Sequence, residues 1–233
     1  MKYYFDLDET ICITPANRDY SKAIPYYKVI DKINLLYENG NEISIYTARG
    51  STSKIDYNEL NKKQLSEWGV KYHHLIDKGK PSYDLLVDDK AINSKTWRED
   101  NNIKIIGFVA SCFDLLHAGH CLYLKEAKQL CDHLIAGLHV DPSIERKTKN
   151  TPIQSIEERK IQLESTKYVD EIIIYNTENE LENILKEKTP DIRILGSDAK
   201  NKSITGEKYC KQIYYHERNH NWSSSDLRKR CIL

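Results

Sequence analysis

Residues Phe113 to His120 read FDLLHAGH, and Trp222 to Arg228 read WSSSDLR. A His-x-Gly-His loop that opens a helix places the imidazoles of His117 and His120 and the helix N-terminus around one point. Ser223, Ser224 and Ser225, at the start of a second helix, offer hydroxyls and free backbone N–H groups to another. Helix N-termini carry unpaired donors and a partial positive charge, so both segments suit phosphate. Two anion sites in one domain point to a nucleoside triphosphate held at its α-phosphate and at its leaving pyrophosphate.

On these residues the chain resembles the nucleotidylyltransferase superfamily. Asp114, His117, Gly119 and His120 match its HxGH signature, and Ser223-Ser224-Ser225 with Arg228 match its C-terminal serine signature. Within the superfamily, glycerol-3-phosphate cytidylyltransferase and its relatives are the nearest likeness. Lys147, Lys149, Arg159, the string Lys167 to Ile172, Gly196, Asp198 and Arg218 fall in the family's order. The resemblance runs from about Ile103 onward. Where the family has a small glycine-led entry, this chain has Ser111-Cys112-Phe113-Asp114, and the serine adds a Cβ where phosphate approaches backbone. The resemblance implies CTP as substrate with Mg²⁺ bridging its phosphates, donation by His117 and His120 to phosphate oxygens, and a homodimer. It assigns Ser111, Cys112, Phe113, Asp114, Gly119, Lys147, Lys149, Arg159, Gly196, Asp198, Arg218, Ser223, Ser224, Ser225 and Arg228 to nucleotide and substrate binding. Asp114 is expected to orient the loop, and Arg228 to steady the last helix or the phosphates.

The N-terminal part carries a second signal. Lys2 to Thr10 is an apolar strand running into D-x-D-x-T, and Ile43 to Thr47 is a strand ending in threonine. Lys80-Pro81 then precedes Tyr83 to Val87, read as a third strand ending in Asp88 and Asp89. Taken singly, an acidic pair after a strand also caps helices. The whole order resembles the haloacid dehalogenase (HAD) superfamily, and within it small phosphatases of capsule biosynthesis. The resemblance implies that Asp6 attacks phosphorus and Asp8, on the same side of the strand, serves as general acid/base. Thr47 and Lys80 would hold the phosphoryl group, and Asp6, Asp8, Asp88 and Asp89 would hold Mg²⁺. Lys78 competes for the lysine role; Lys80 is preferred because the following proline fixes its loop. The gaps between these motifs leave no room for a large cap domain.

The elements that must position these residues alternate strand and helix. Ile30, Ile33 and Leu36 repeat at helical spacing up to Gly40, and Leu60, Leu65 and Trp68 mark a helix that ends near Gly69. The polar run Arg98 to Asn102 has no apolar anchor and sets the expected boundary, a HAD-like domain over 1–101 and a nucleotidylyltransferase domain over 102–233. In the second part, strands are expected over Ile103–Ala110, His133–Val140, Glu171–Tyr175, Asp191–Leu195 and Gln212–His216. Helices are expected over His120–Leu130 and from the capping box Ser155-x-x-Glu158 to about Tyr168. The fold class is α/β, two doubly wound Rossmann-like parallel-sheet domains, with ligands beyond the strands' C-terminal ends. Of the remaining histidines only His139, near a strand end, is a candidate to line the nucleotide cleft.

With 35 basic and 35 acidic residues in 233, the net charge is zero, which gives nucleic acid no electrostatic footing. No stretch approaches membrane-spanning length and the start has no signal-peptide pattern. The six cysteines lack C-x-x-C spacing, so reduced thiols in a cytoplasm are expected. The combined expectation is a bifunctional cytoplasmic enzyme, a hydrolase of phosphomonoesters joined to a cytidylyltransferase that makes a CDP-activated polyol or sugar for surface polysaccharide. Three alternatives stand beside it. CFDLLHAGH also resembles heptose-phosphate adenylyltransferases, which use ATP with a sugar 1-phosphate. The N-terminal domain could be a non-catalytic binding or dimerisation module, and the whole chain could be a nucleotide sensor.

Overall fold

A computed structural model describes residues 1–15, 17–86 and 88–231. They form two compact units, Met1–Lys104 and Ile105–Leu233. The first contains β1 (Lys2–Phe5), β2 (Cys12–Ile13), β3 (Ile24–Pro25), α1 (Tyr27–Glu38), β4 (Glu42–Tyr46), α2 (Asn58–Glu67), β5 (His74–Ile76) and α3 (Ser94–Asp100). β1, β4 and β5 make a parallel sheet in that order, while β2 and β3 pair as an antiparallel ribbon. α1 buries Val29, Ile30 and Ile33, and Gly40 takes the left-handed turn that follows it.

Two expectations for this unit are corrected. Arg98 to Asn102 is not a bare linker, because α3 runs to Asp100. Trp97 packs edge-on against Phe5 with centroids 5.2 Å apart, and buried Arg98 lies over the Tyr26 ring. The boundary therefore falls after Lys104. The strand expected over 83–87 does not form among the described residues, and position 87 lies outside them. An apolar run without alternation holds as a strand only when covered on both faces. Here Leu85 is 79% and Leu86 52% exposed.

The second unit contains β6 (Ile106–Ser111), α4 (Ala118–Gln129), β7 (His133–His139), α5 (Ile156–Glu164), β8 (Glu171–Tyr175), α6 (Glu178–Lys188), β9 (Ile192–Gly196), β10 (Gln212–His216) and α7 (Ser224–Cys231). Its parallel sheet has the order β10-β9-β6-β7-β8. β6 and β7 are near-continuous apolar runs, as strands covered on both faces require, and Phe108 and Ile135 pack with Tyr175, Leu181 and Leu185. The strand order reverses between β6 and β9, and that switch opens a crevice at the strands' C-terminal ends. α5 has the expected capping box but stops at Glu164, short of Tyr168. All six cysteines are free thiols, and no helix of the described residues is long and apolar enough to cross a membrane.

Candidate active sites

The chain leaves β6 into a tight loop in which Phe113 and Leu115, on either side of Asp114, both adopt positive φ (48° and 51°). Such backbone is costly for residues with a Cβ and persists only where its surroundings fix it. Asp114 supplies the fixing. It is 5% exposed, and its Oδ1 accepts from the Ile153 and Gln154 N–H groups at 3.1 and 3.0 Å. Its Oδ2 accepts from Arg228 Nη2 at 2.5 Å, and its carbonyl accepts from Ser224 Oγ at 2.9 Å. One carboxylate thus ties the loop after β6 to the segment before α5 and to α7.

α4 begins inside this frame. His117 is its N-cap, with Nδ1 accepting from Gly119 N at 3.1 Å, so the neutral ring carries its proton on Nε2. His120 stacks on His117 with centroids 4.0 Å apart and meets Phe113 edge-on. Burial, the neighbouring His117 and Arg218 push the His120 imidazole down to about 3. Burial, Arg218 and His220 also lower His117. Both rings are therefore neutral N–H donors at pH 7. At the start of α7, Ser223 Oγ accepts from Asp226 N at 3.0 Å, which leaves the first turn's remaining donors for a ligand.

In the first unit, Asp6 follows β1. Its Oδ1 accepts from Leu7 N at 2.8 Å and its Oδ2 lies 2.7 Å from Lys80 Nζ. Lys80 is buried and also donates to the Tyr46 carbonyl, whereas Lys78 is exposed and 3.9 Å from Asp56. Thr47 is fully buried, and its Oγ1 accepts from Arg49 N. Sequence reasoning passed over Arg49, whose guanidinium grips Asp8 through Nη2 (2.6 Å) and Nε while Nη1 donates to Asn61 and Gln64. Its only sequence signal was its place two residues after Thr47. An open cavity of about 310 Å³ adjoins Lys80 and is lined by Arg49, Lys54, Asp56, Tyr57 and Asp77. Asp88 and Asp89 are exposed, and Asp88 accepts from Lys90 N. No three His, Cys, Asp or Glu side chains gather as a metal group among the described residues. The expected Mg²⁺ set of Asp6, Asp8, Asp88 and Asp89 is thus not brought together: Lys80 and Arg49 hold the first pair, and the second stands on a loop instead of a strand end.

Residues 108–230, more than half of the chain, match the family described as cytidylyltransferase-like. The chain belongs to this family. It is similar to the bifunctional protein HldE of Helicobacter pylori strain G27, 37% identical over 130 residues that make up 55% of this chain and 28% of the relative. The bifunctional protein HldE of Campylobacter concisus is 28% identical over 171 residues, 73% of this chain and 34% of the relative. The chain thus spans about a third or less of these relatives' length. A solved lipopolysaccharide core biosynthesis protein from Thermoplasma volcanium is 27% identical with a TM-score of 0.43, and the match covers 51% of this chain and 99% of that one.

Within the cytidylyltransferase-like unit, several expected ligand contacts prove to be internal. Arg159 is 2% exposed and donates to the carbonyls of Cys112, His139, Val140, Gln154 and Ser155, so four of its five N–H groups are engaged internally and it shapes the floor of the site. Arg228 is turned to Asp114 and the Thr151 carbonyl, and Ser224 to the Asp114 carbonyl. Ser111 Oγ accepts from Phe113 N, and Cys112 Sγ lies 3.3 Å from Arg159 Nη1. His139 does not line the cleft: it is buried, stacked on Tyr175, with Nε2 at the Asn176 carbonyl. Gly196 ends β9, Asp198 follows in a single 3₁₀ turn, and Ser225 lies in the first turn of α7. Lys147 and Lys149 stand exposed after β7, and exposed Arg218 is close enough to depress both imidazoles. His220 lies against Gly119 beside the His117 ring and stacks on Trp222, and sequence reasoning assigned no role to either residue.

Proposed function

We propose that the cytidylyltransferase-like unit transfers a nucleotidyl group from a nucleoside triphosphate to a sugar phosphate and releases pyrophosphate. The observation that carries this reading is the pair of helix N-termini, one with His117 and His120 and the other with Ser223 to Ser225, the second tied to Asp114 in the loop that leads into the first. An acceptor phosphate oxygen attacks the α-phosphorus while the bond to the bridging oxygen breaks. His117 Nε2–H and His120 donate to the phosphate oxygens where charge grows, and the α7 N-terminus and Arg218 stabilise the leaving pyrophosphate. Asp114's oxygens are already taken, so Mg²⁺ would enter with the triphosphate as part of the substrate.

ATP with a heptose-type sugar 1-phosphate is the favoured pair, because the catalytic-loop string resembles heptose-phosphate adenylyltransferases and the similar curated proteins carry the name HldE, not that of a cytidylyltransferase. CTP with a glycerol-phosphate-like acceptor is the second reading, kept by the order of Lys147, Lys149 and Arg218 along the chain. Pyrophosphate release from each nucleotide with a panel of phosphorylated sugars and polyols decides between them. Equal turnover of ATP and CTP would contradict both assignments.

We infer that the Met1–Lys104 unit is a phosphomonoesterase of the HAD type. Support comes from Lys80 on Asp6 and from the adjoining open cavity. Asp6 would attack phosphorus, Lys80 would neutralise the transferring oxygens, and the rest of the substrate would occupy the cavity. Asp6→Asn is expected to remove phosphate release while leaving nucleotidyl transfer within about twofold, because each sheet carries its own site. The scattered Asp88 and Asp89 favour the opposing reading of a non-catalytic module. That reading gains if wild-type protein hydrolyses no phosphomonoester with Mg²⁺ present.

A further inference from the structure

His220 stands three residues before Ser223, on the segment joining β10 to α7. Its ring is pressed against the start of α4: a Cβ added to Gly119 would lie 2.7 Å from His220 Cε1 and 3.0 Å from the His117 ring. Trp222 stacks on the same imidazole, with centroids 4.9 Å apart and planes at 27°. The ring is thus wedged between the start of the helix of the two signature histidines and Trp222, which lies just ahead of the helix of the three serines.

Neither nitrogen of this ring has a partner among the described residues, although both are shielded from water. The histidines that serve structure in the same unit behave differently. His133 pairs with Glu171, His139 with the Asn176 carbonyl, and His216 with Glu126. An imidazole carries polar groups at both ring nitrogens, and leaving them unmet away from water is destabilising. A ligand that satisfies His220 would lift that cost. Two helix N-termini and Arg218 make the surroundings electropositive, which selects an anionic oxygen as the partner.

We propose that His220 is a third imidazole of the transferase site and donates a hydrogen bond to the leaving pyrophosphate. This rests on the nucleotidyl-transfer reading. As the bond from α-phosphorus to the bridging oxygen breaks, its electron pair remains on pyrophosphate, and the His220 N–H stabilises that charge. The new bond forms from the acceptor's phosphate oxygen, and His220 neither gains nor loses a proton. The assignment to pyrophosphate, as opposed to the acceptor, follows from its position on the strand-to-helix segment that leads into Ser223.

The test uses the full chain and pyrophosphate itself. His220→Ala is expected to weaken pyrophosphate binding, measured calorimetrically, by about ten- to hundredfold. It should lower kcat while leaving the acceptor KM within about twofold, and His220→Asn, which keeps a donor, should recover part of both. Unchanged pyrophosphate affinity in a folded His220→Ala protein overturns the proposal. Should that variant unfold, ring-nitrogen NMR on the wild type decides, since saturating pyrophosphate must shift the His220 resonances and a null titration rejects the contact. A wild type that binds pyrophosphate yet transfers no nucleotide would instead overturn the proposed function.

Discussion

Replacing His117 or His120 with alanine is expected to slow nucleotidyl transfer by about 10²–10³, the usual effect of losing one preorganised donor to developing charge. The two losses have separable causes. His117 also caps α4 through Nδ1 and Gly119 N, so its removal carries a stability cost of about 1 kcal/mol. His117→Asn restores a capping oxygen without restoring the reach of an imidazole, and it should regain stability but not rate. A His117→Asn protein with wild-type turnover would show that the ring serves only as a cap. The pH dependence follows from the state of the rings. His120 stays neutral down to about 3, so its titration should put no limb on kcat/KM for the free enzyme through pH 6–8. A limb near pH 6.5 that vanishes in His120→Ala contradicts this. The stability sign is fixed by the same depression. Below about 6.5 the unfolded imidazole binds a proton that the folded one refuses, so stability falls as pH drops from there toward 3.

How much of this was legible follows from what kind of signal each part leaves. The strands of the second unit are apolar runs bounded by turns, and Glu171–Tyr175 and Gln212–His216 lie where the sequence puts them. α6 was passed over although Thr177 caps it and Leu181 and Leu185 lie on its buried face, because the charged stretch Glu178 to Lys188 masks the period. Ser155 and Glu158 announce α5 through a local reciprocal bond that any reader of the chain can find. Arg159 and Arg49 show the opposite case. Their type suggests a ligand, but their partners come from residues up to 47 positions away for Arg159 and 41 for Arg49, and only the fold reveals that these donors are spent internally. His220 itself belongs to no motif, so the sequence alone marks it as a structural or surface histidine. Its meaning comes from Gly119, which is close only in space.

The tie between Asp114 and Arg228 carries the second large expected effect. Asp114→Ala strips acceptors from the Ile153 and Gln154 N–H groups and leaves the Arg228 guanidinium, 22% exposed at its side chain, without its carboxylate. Removing one partner of a buried pair costs about 3–5 kcal/mol. Activity should fall at least about 10²-fold, the loss expected when reacting groups shift by about 1 Å. Asp114→Asn divides the two duties: its amide oxygen can still accept from Ile153 and Gln154, while its uncharged amide faces Arg228. If holding the loop is the larger duty, Asp114→Asn should fold nearly as well as the wild type and retain most of its transfer rate. If the charge pair sets the pose of α7, rate should drop while the loop stays ordered. A double-mutant cycle with Arg228→Gln measures the pair itself. Coupling of about 0.5–3 kcal/mol is expected for two groups in direct contact, whereas additivity within about 0.5 kcal/mol would mean that α7 is held by other means. The phosphate donors of α7 lie within one turn of Ser223, and Arg228 stands one further turn along the same helix. Strong coupling would therefore make Asp114 the residue that sets the distance between the two anion sites, which is the dimension a triphosphate must match.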